Sequence, residues 1–303
     1  MKSFFLKVFL FFACVVVMDI LFGKVFLYLR AHAKGGSTAN CEYIANSANE
    51  DIIILGSSRA THHYIPQIIE DSLGVTCYNC GEEGNGIVLA YGRLIMLTNR
   101  YKPQLVIYEL TPSYDYEKTE SNSKYLGYLR PYYEVNGIRG IFDDFDDELS
   151  SLKMNSSMYR NTGKLLPNLV DNIIKRDNQK GFAPLYGRMS IISRNSSAKN
   201  KNEVDSLKLS YMERMIVDAR RNHIPLIFMV SPCYNTDNYY IDLEPALSLC
   251  EKYGISLYNY IDYKPISDHL DYFQDEEHLN VDGAIAYTNI IIEEVLDSLI
   301  NGK

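Results

Sequence analysis

The chain has 303 residues, with 38 Asp and Glu against 30 Lys and Arg for a formal net charge of −8. That length allows one large α/β domain or two small ones with a sizeable core. The negative balance has the wrong sign for an electrostatic grip on phosphate backbones, so no nucleic-acid partner is expected.

Residues Phe4 to Leu29 form an apolar stretch broken only by Lys7, Asp19, Gly23 and Lys24, after a basic start at Lys2. About twenty apolar residues suffice to cross a bilayer. Two readings compete: a signal peptide cut after Ala31-His32-Ala33, or an uncleaved signal anchor over residues 1–34 with its amino end in the cytoplasm. The stretch outruns the 7–15 or so residues of a cleaved signal's apolar core, which favours the anchor. Cys14 leads into Val15-Val16-Val17 rather than a polar mature start, which argues against lipidation. Either reading places the rest of the chain outside the cytoplasm. Residues 35–50 are small and polar and read as a linker with a short turn.

From Asp51 onward, continuous apolar or β-branched runs predict strands buried on both faces at 51–55, 75–79, 105–110, 225–230 and 255–258. Helical patterns fall between most of them, at 64–73, 87–100, 205–222 and 243–253, and a closing helix spans about 282–300. Alternating strands and helices imply right-handed βαβ units and a parallel sheet covered on both faces. From Ser113 to about Val204 the chain is instead polar and rich in Tyr, Asn and Ser, with an acidic patch at residues 143–148. A structureless loop of that size is implausible inside a compact domain. It reads as an insertion with its own helices, one at 154–174, lying over the carboxyl ends of the strands, where open α/β sheets bind ligands.

Six cysteines are present, five of them beyond the anchor. Cys77-x-x-Cys80 lacks a second such pair or a matching His pair, so packed thiols or a disulfide are expected in place of a metal or redox site. No metal or organic cofactor is expected, and neither a P-loop nor a complete Gly-x-Gly-x-x-Gly is present.

The chemistry-bearing residues fall in two places. After the first strand comes Gly56-Ser57-Ser58-Arg59-Ala60-Thr61-His62-His63, where a hydroxyl at a helix start can act as a nucleophile beside free N–H groups, or simply as an N-cap. Before the last helix stands Asp275-Glu276-Glu277-His278-Leu279-Asn280. There an Asp three residues ahead of a His can hold one ring nitrogen while the other takes a serine's proton. Arg59 can bind an anionic substrate group or pair with an acid such as Glu109. His62 and His63 point about 100° apart on a helix and seldom share a metal, so structural or surface roles are expected of them. Tyr114, Tyr116, Tyr125, Tyr128, Tyr132 and Tyr133 can stack on sugar rings or pack in a core.

Taken together these blocks resemble the SGNH or GDSL-type serine hydrolases. The strand and Gly-x-Ser block matches Ile53 to Ser58, and the Asn-x-x-x-x-Gly block matches Asn79 to Gly84. The Asp-x-x-His block matches Asp275 and His278. The third block departs from the family: where a Gly-x-Asn-Asp is usual, this chain has Leu110-Thr111-Pro112-Ser113-Tyr114-Asp115. The resemblance implies a three-layer α/β/α, flavodoxin-like fold with a parallel five-stranded sheet over residues 51–303. It implies Ser58, Asp275 and His278 as a catalytic triad, with Ser58, Gly84 and Ser113 around an oxyanion and Arg59, Asn85 and Tyr114 near the substrate. The expected activity is that of an esterase or O-acyltransferase on small acyl esters of extracellular or cell-surface glycans. The missing Asn keeps a second reading open, a catalytically inactive binding or assembly protein of the same fold.

Overall fold

The computed structural model describes residues 1–118, 123–145, 152–162, 165–175, 179–189, 203–234 and 242–302. The chain divides into two compact units, one made of residues 1–46 and 121–177 and the other of residues 47–120 and 178–303. The sequence-based insertion is therefore split between them.

In the first unit, helix α1 (Lys2–Ala31) carries the apolar stretch and is long and apolar enough to cross a membrane. The segment expected as a linker forms helix α2 (Gly36–Asn46), with Cys41, Ile44 and Ala45 buried. Small polar residues do not prevent a helix when one apolar face finds a partner, and tertiary packing overrides their weak propensity. The helix expected over 154–174 is two helices, Ser157–Asn161 and Leu165–Ile173. Ser156 caps the first, its side chain accepting from the Tyr159 N–H. Pro167 falls in the first turn of the second, where its missing N–H costs nothing. Tyr132 and Tyr133 are core residues of this unit. Parts of the acidic patch, at residues 146–148, and the side chain of Tyr125 lie outside the described residues.

The second unit is a three-layer α/β/α fold around a five-stranded parallel sheet in the order β2-β1-β3-β4-β5. The strands are β1 (Ile52–Gly56), β2 (Cys77–Asn79), β3 (Leu105–Glu109), β4 (Leu226–Val230) and β5 (Leu257–Asn259). Every residue of β1, β3 and β4 is buried, as continuous apolar runs require when both faces are covered. Ile52 and Ile54 of β1 pair with Leu105 and Ile107 of β3, Ile107 pairs with Ile227 of β4, and these residues share one face with Met229. That face packs on helix α3 (Ser58–His63), helix α4 (Pro66–Leu73) and the closing helix Val281–Ile291 through Tyr64, Ile69, Tyr287 and Ile291. On the opposite side helix α5 (Ile87–Thr98) packs against helix Ser206–Arg221.

The helix expected to begin at residue 64 begins at Ser58 and breaks before Pro66. Ile65 is extended there, because a proline crowds the backbone of the residue it follows. The chain leaves β1 toward β2 on one side and returns to β3 on the other. The carboxyl ends of β1 and β3 therefore flank the topological switch point, where this architecture opens a crevice.

Candidate active site

Gly56 ends β1 at φ +147°, and a Cβ there would lie 2.7 Å from the Glu109 carbonyl oxygen, so only glycine lets β1 turn this closely past β3. The turn delivers Ser57 and Ser58 to the switch point. Ser57 faces inward and donates its hydroxyl to Thr111 Oγ1 at 2.9 Å, tying the ends of β1 and β3 together. Ser58 is the first residue of α3. Its N–H and that of Gly84 carry no hydrogen bond among the described residues. Gly84 turns the loop after β2 at φ +65°, with open space beside it.

His278 arrives from the far end of the sequence in a tight hairpin. Phe273 and Leu279 face each other as an antiparallel bridge, and the Gln274 N–H donates to the His278 carbonyl at 2.9 Å. Within it the Asp275 carboxylate accepts from the backbone N–H groups of Glu277 and His278 at 2.9 Å each. It also lies 2.9 and 3.0 Å from His278 Nδ1 through its two oxygens. His278 Nε2 is 2.8 Å from Ser58 Oγ, across 220 residues of chain. Burial pushes the Asp275 carboxyl up, but the hydrogen bond and charge of His278 and the two backbone donors outweigh it and hold the group below its ordinary range. Asn280 then caps the closing helix, accepting from the Gly283 N–H at 3.0 Å, so the hairpin feeds directly into a rigid element.

Beneath this trio lies a buried polar network of which the sequence suggested only the Arg59–Glu109 pair. Its parts are Arg59 and His63 on α3, Tyr64 after it, Glu109 at the end of β3, Ser231 after β4 and Tyr287 on the closing helix, all buried. The Leu279 N–H can only donate, and it reaches His63 Nε2 at 3.0 Å, so Nδ1 carries the imidazole proton. Nδ1 donates to Ser231 Oγ at 2.7 Å, and Ser231 Oγ–H donates to Glu109 Oε1 at 2.7 Å. Arg59 Nε lies 3.2 Å from the same carboxylate oxygen, and the Tyr64 hydroxyl donates to the other. Burial first, and then the charge of Arg59 and the neighbouring imidazoles, hold His63 well below the usual histidine range, in agreement with the neutral tautomer. His63 thus grips the backbone of the residue that follows His278. No local signal marks this role, because it exists only once the ends of β1, β3 and β4 meet the last hairpin.

The structure reassigns several of the expected substrate contacts. Arg59 is 2% exposed and engaged with Glu109 and Ser231, the pairing with an acid that the sequence also allowed, and so lies in the network below the site. Asn85 is buried, and its amide donates to the Glu83 carbonyl at 2.8 Å, bracing the loop that carries Gly84. Ser113 and Tyr114 lie half-buried in the short helix α6 (Pro112–Asp115) that follows β3. Thr111, just before it, is the residue that bonds to the nucleophile block. Asp115, at the end of α6, is buried and accepts from the N–H groups of Thr111 and Ile87 at 2.6 and 3.0 Å and from the Tyr108 hydroxyl at 2.5 Å. Burial pushes its carboxyl up to about 7 despite these donors. His62 lies beside His278, its Nδ1 donating to the Ala183 carbonyl at 2.6 Å and its Nε2 3.2 Å from Glu83. Residues 179–189 lie beside these groups: the Ala183 N–H donates to the Thr61 carbonyl of α3 at 3.0 Å, and the Gly187 carbonyl accepts from Asn280 at 2.9 Å.

Cys77 and Cys80 are free buried thiols, and burial pushes the Cys77 thiol well above its ordinary value. Among the described residues no group of three or more His, Cys, Asp or Glu side chains is placed to hold a metal ion.

No protein-family model and no curated protein matches the chain. Among solved structures, the acetyl xylan esterase AlAXEase is similar at 8% identity and a TM-score of 0.39, over 80% of this chain and all of that one. A GDSL-like lipase from Bacteroides thetaiotaomicron is similar at 11% identity and a TM-score of 0.35, over 91% of this chain and 97% of the lipase. At such identities and TM-scores the chemistry has to be read from the site itself.

Proposed function

We propose that this chain is an exported, membrane-anchored serine esterase or O-acyltransferase of the SGNH type. The observation that carries the reading is the line Asp275, His278, Ser58, with 2.9 and 3.0 Å on one side of the imidazole and 2.8 Å on the other. A nucleophile, a base and the group that orients the base stand within hydrogen-bond reach of one another. Ser58 Oγ attacks an ester carbonyl while His278 Nε2 takes its proton. Asp275 holds Nδ1–H, which fixes the tautomer and stabilises the imidazolium. The N–H groups of Ser58 and Gly84 receive the oxyanion, with Ser113 as a third donor in place of the absent Asn. His278 then returns the proton to the departing alcohol, leaving an acyl group on Ser58, which passes to water or to a sugar hydroxyl.

One missing oxyanion donor costs about 2.7–4 kcal/mol of transition-state stabilisation. Turnover by the two backbone donors alone would therefore be roughly 10²–10³-fold slower than with a complete hole. The substrate class, small acyl esters on cell-surface or extracellular glycans, follows from the proposed location and the family resemblance. The 30-residue helix α1 supports the anchor.

Labelling of the full chain with a fluorophosphonate probe tests the enzyme reading. Wild type should label and Ser58→Ala should not; an unlabelled wild type, or equal labelling of both, removes the nucleophile. His278→Ala should abolish hydrolysis of a short-chain aryl ester. Protease digestion of intact cells should degrade the second unit, and its protection would contradict export.

A further inference from the structure

Helix α1 is exposed along most of its length, but one stripe is covered. Gly23 and Arg30 are buried and Asp19 and Phe26 half-buried, a 4, 3, 4 spacing that puts all four on one helical face. Asp19 stands five residues before Lys24, inside the apolar stretch. A carboxylate at that depth in a bilayer needs donors of its own. It has three: the Ser156 hydroxyl and the backbone N–H groups of Ser157 and Met158, at 2.9 and 3.1 Å for the latter two. Gly23 makes room for this approach, since a Cβ there would collide with the Ser157 side chain.

Further along α1, Arg30 contacts Asn161 at 3.4 Å and the Leu29 carbonyl accepts from Asn172 Nδ2 at 2.8 Å. The Lys34 N–H donates to the Asp171 carbonyl at 2.7 Å. The segment thus runs beside the chain from Asp19 to Lys34, on the order of 20 Å at helical rise. Its outward side chains include Leu152, Met158, Leu169, Val170, Ile173 and Ile174, all exposed, as are the apolar side chains Leu21, Phe22 and Val25 of α1. Lys153 and Lys175, also exposed, have stems long enough to hold their ammonium groups at the headgroups.

We propose that residues 152–162 and 165–174 form a second membrane-embedded element, docked on α1 and entering the leaflet on the catalytic side to the depth of Asp19, with its exposed apolar side chains against lipid acyl chains. This rests on the reading of α1 as a retained anchor. A clustered apolar surface joined to a membrane helix through that helix's one buried-depth carboxylate has the bilayer as its natural cover.

The chain contains no Trp, so single reporters are clean. Full-length Phe12→Trp, Met158→Trp and Leu152→Trp variants are reconstituted in vesicles of phosphatidylcholine and phosphatidylglycerol with acyl chains brominated at mid-chain, and the same vesicles without bromine are titrated with iodide. Phe12→Trp reports the anchor. Met158→Trp or Leu152→Trp should lose emission to bromine as Phe12→Trp does and resist iodide. Asp19→Leu in the Met158→Trp background should restore iodide quenching. If Phe12→Trp is quenched by bromine while both insertion reporters answer only to iodide, the proposal is overturned and the anchor stands. If Phe12→Trp itself answers to iodide, the anchor reading fails and the proposal with it.

Discussion

His63→Leu isolates the link between the buried network and the proposed base. The two side chains are close in size, so the change removes hydrogen bonding with little loss of volume. Leu279 is fully buried, and its N–H has His63 Nε2 as acceptor at 3.0 Å. Orphaning that donor costs about 1–3 kcal/mol, and the lost Nδ1 bond to Ser231 adds about 1 kcal/mol. Ser231 Oγ keeps Arg59 and Glu109, so the rest of the network holds. At about 2–4 °C per kcal/mol for a domain of this size, the midpoint should fall by roughly 4–16 °C.

The larger effect should be on chemistry. An N–H seeking a new acceptor moves the residue next to His278, and a displacement of about 1 Å costs on the order of 10²-fold in rate. We expect kcat on an aryl ester and the rate of fluorophosphonate labelling to fall together by about 10²-fold, with KM little changed. Acid sensitivity adds a third readout. The unfolded chain protonates His63 below about pH 6.5 and the folded chain does so only at much lower pH, so this group contributes stability that is lost as pH falls through that value. His63→Leu should lack that loss. A variant that labels and turns over at wild-type rates refutes the positioning role, whatever its melting temperature.

Asp275→Asn offers Nδ1 the wrong partner and should slow ester hydrolysis in kcat, by less than the ~10⁴-fold of a buried triad aspartate because the Asp275 side chain is 56% exposed. A variant with unchanged kcat would assign Asp275 to hairpin structure alone. Glu109→Ala leaves the Arg59 guanidinium buried without this counter-charge and should cost about 3–5 kcal/mol in chemical denaturation, the usual effect of breaking a buried pair. A loss under about 1 kcal/mol, the surface value, would mean that water reaches Arg59. Asp115 holds its proton in the folded chain up to about pH 7 and in the unfolded chain only to about 3.8, so its contribution to stability is present below that lower value and lost as pH rises through 7. Asp115→Asn should flatten the pH dependence of stability between these limits by up to about 4 kcal/mol; an unchanged slope would place the titration elsewhere.

What the sequence alone determined rests on short-range signals. Unbroken β-branched runs ended by Gly56 and by Asn79 mark buried strands, because backbone and side-chain preferences act over a few residues. Asp275 and His278 were legible because three residues of hairpin suffice to bring them together. Ser58, after the first strand, could be paired with them as a triad candidate in the chain order Ser, Asp, His, and the likeness of whole blocks to a family strengthened the pairing. The tertiary structure alone decided the rest. Arg59 could face a substrate anion or pair with an acid such as Glu109, and only the ends of β3 and β4, which bring Glu109 and Ser231 around it, decided between them. His63 was open to a structural or a surface role until Leu279, 216 positions away, supplied its partner. The polar linker became helix α2, and residues 121–177 left the insertion to join α1, because those choices turn on which apolar faces meet. No local pattern encodes such meetings: a buried hydrogen bond or a packed face is stabilised by groups far apart in the chain, and it exists only when the fold excludes water from between them.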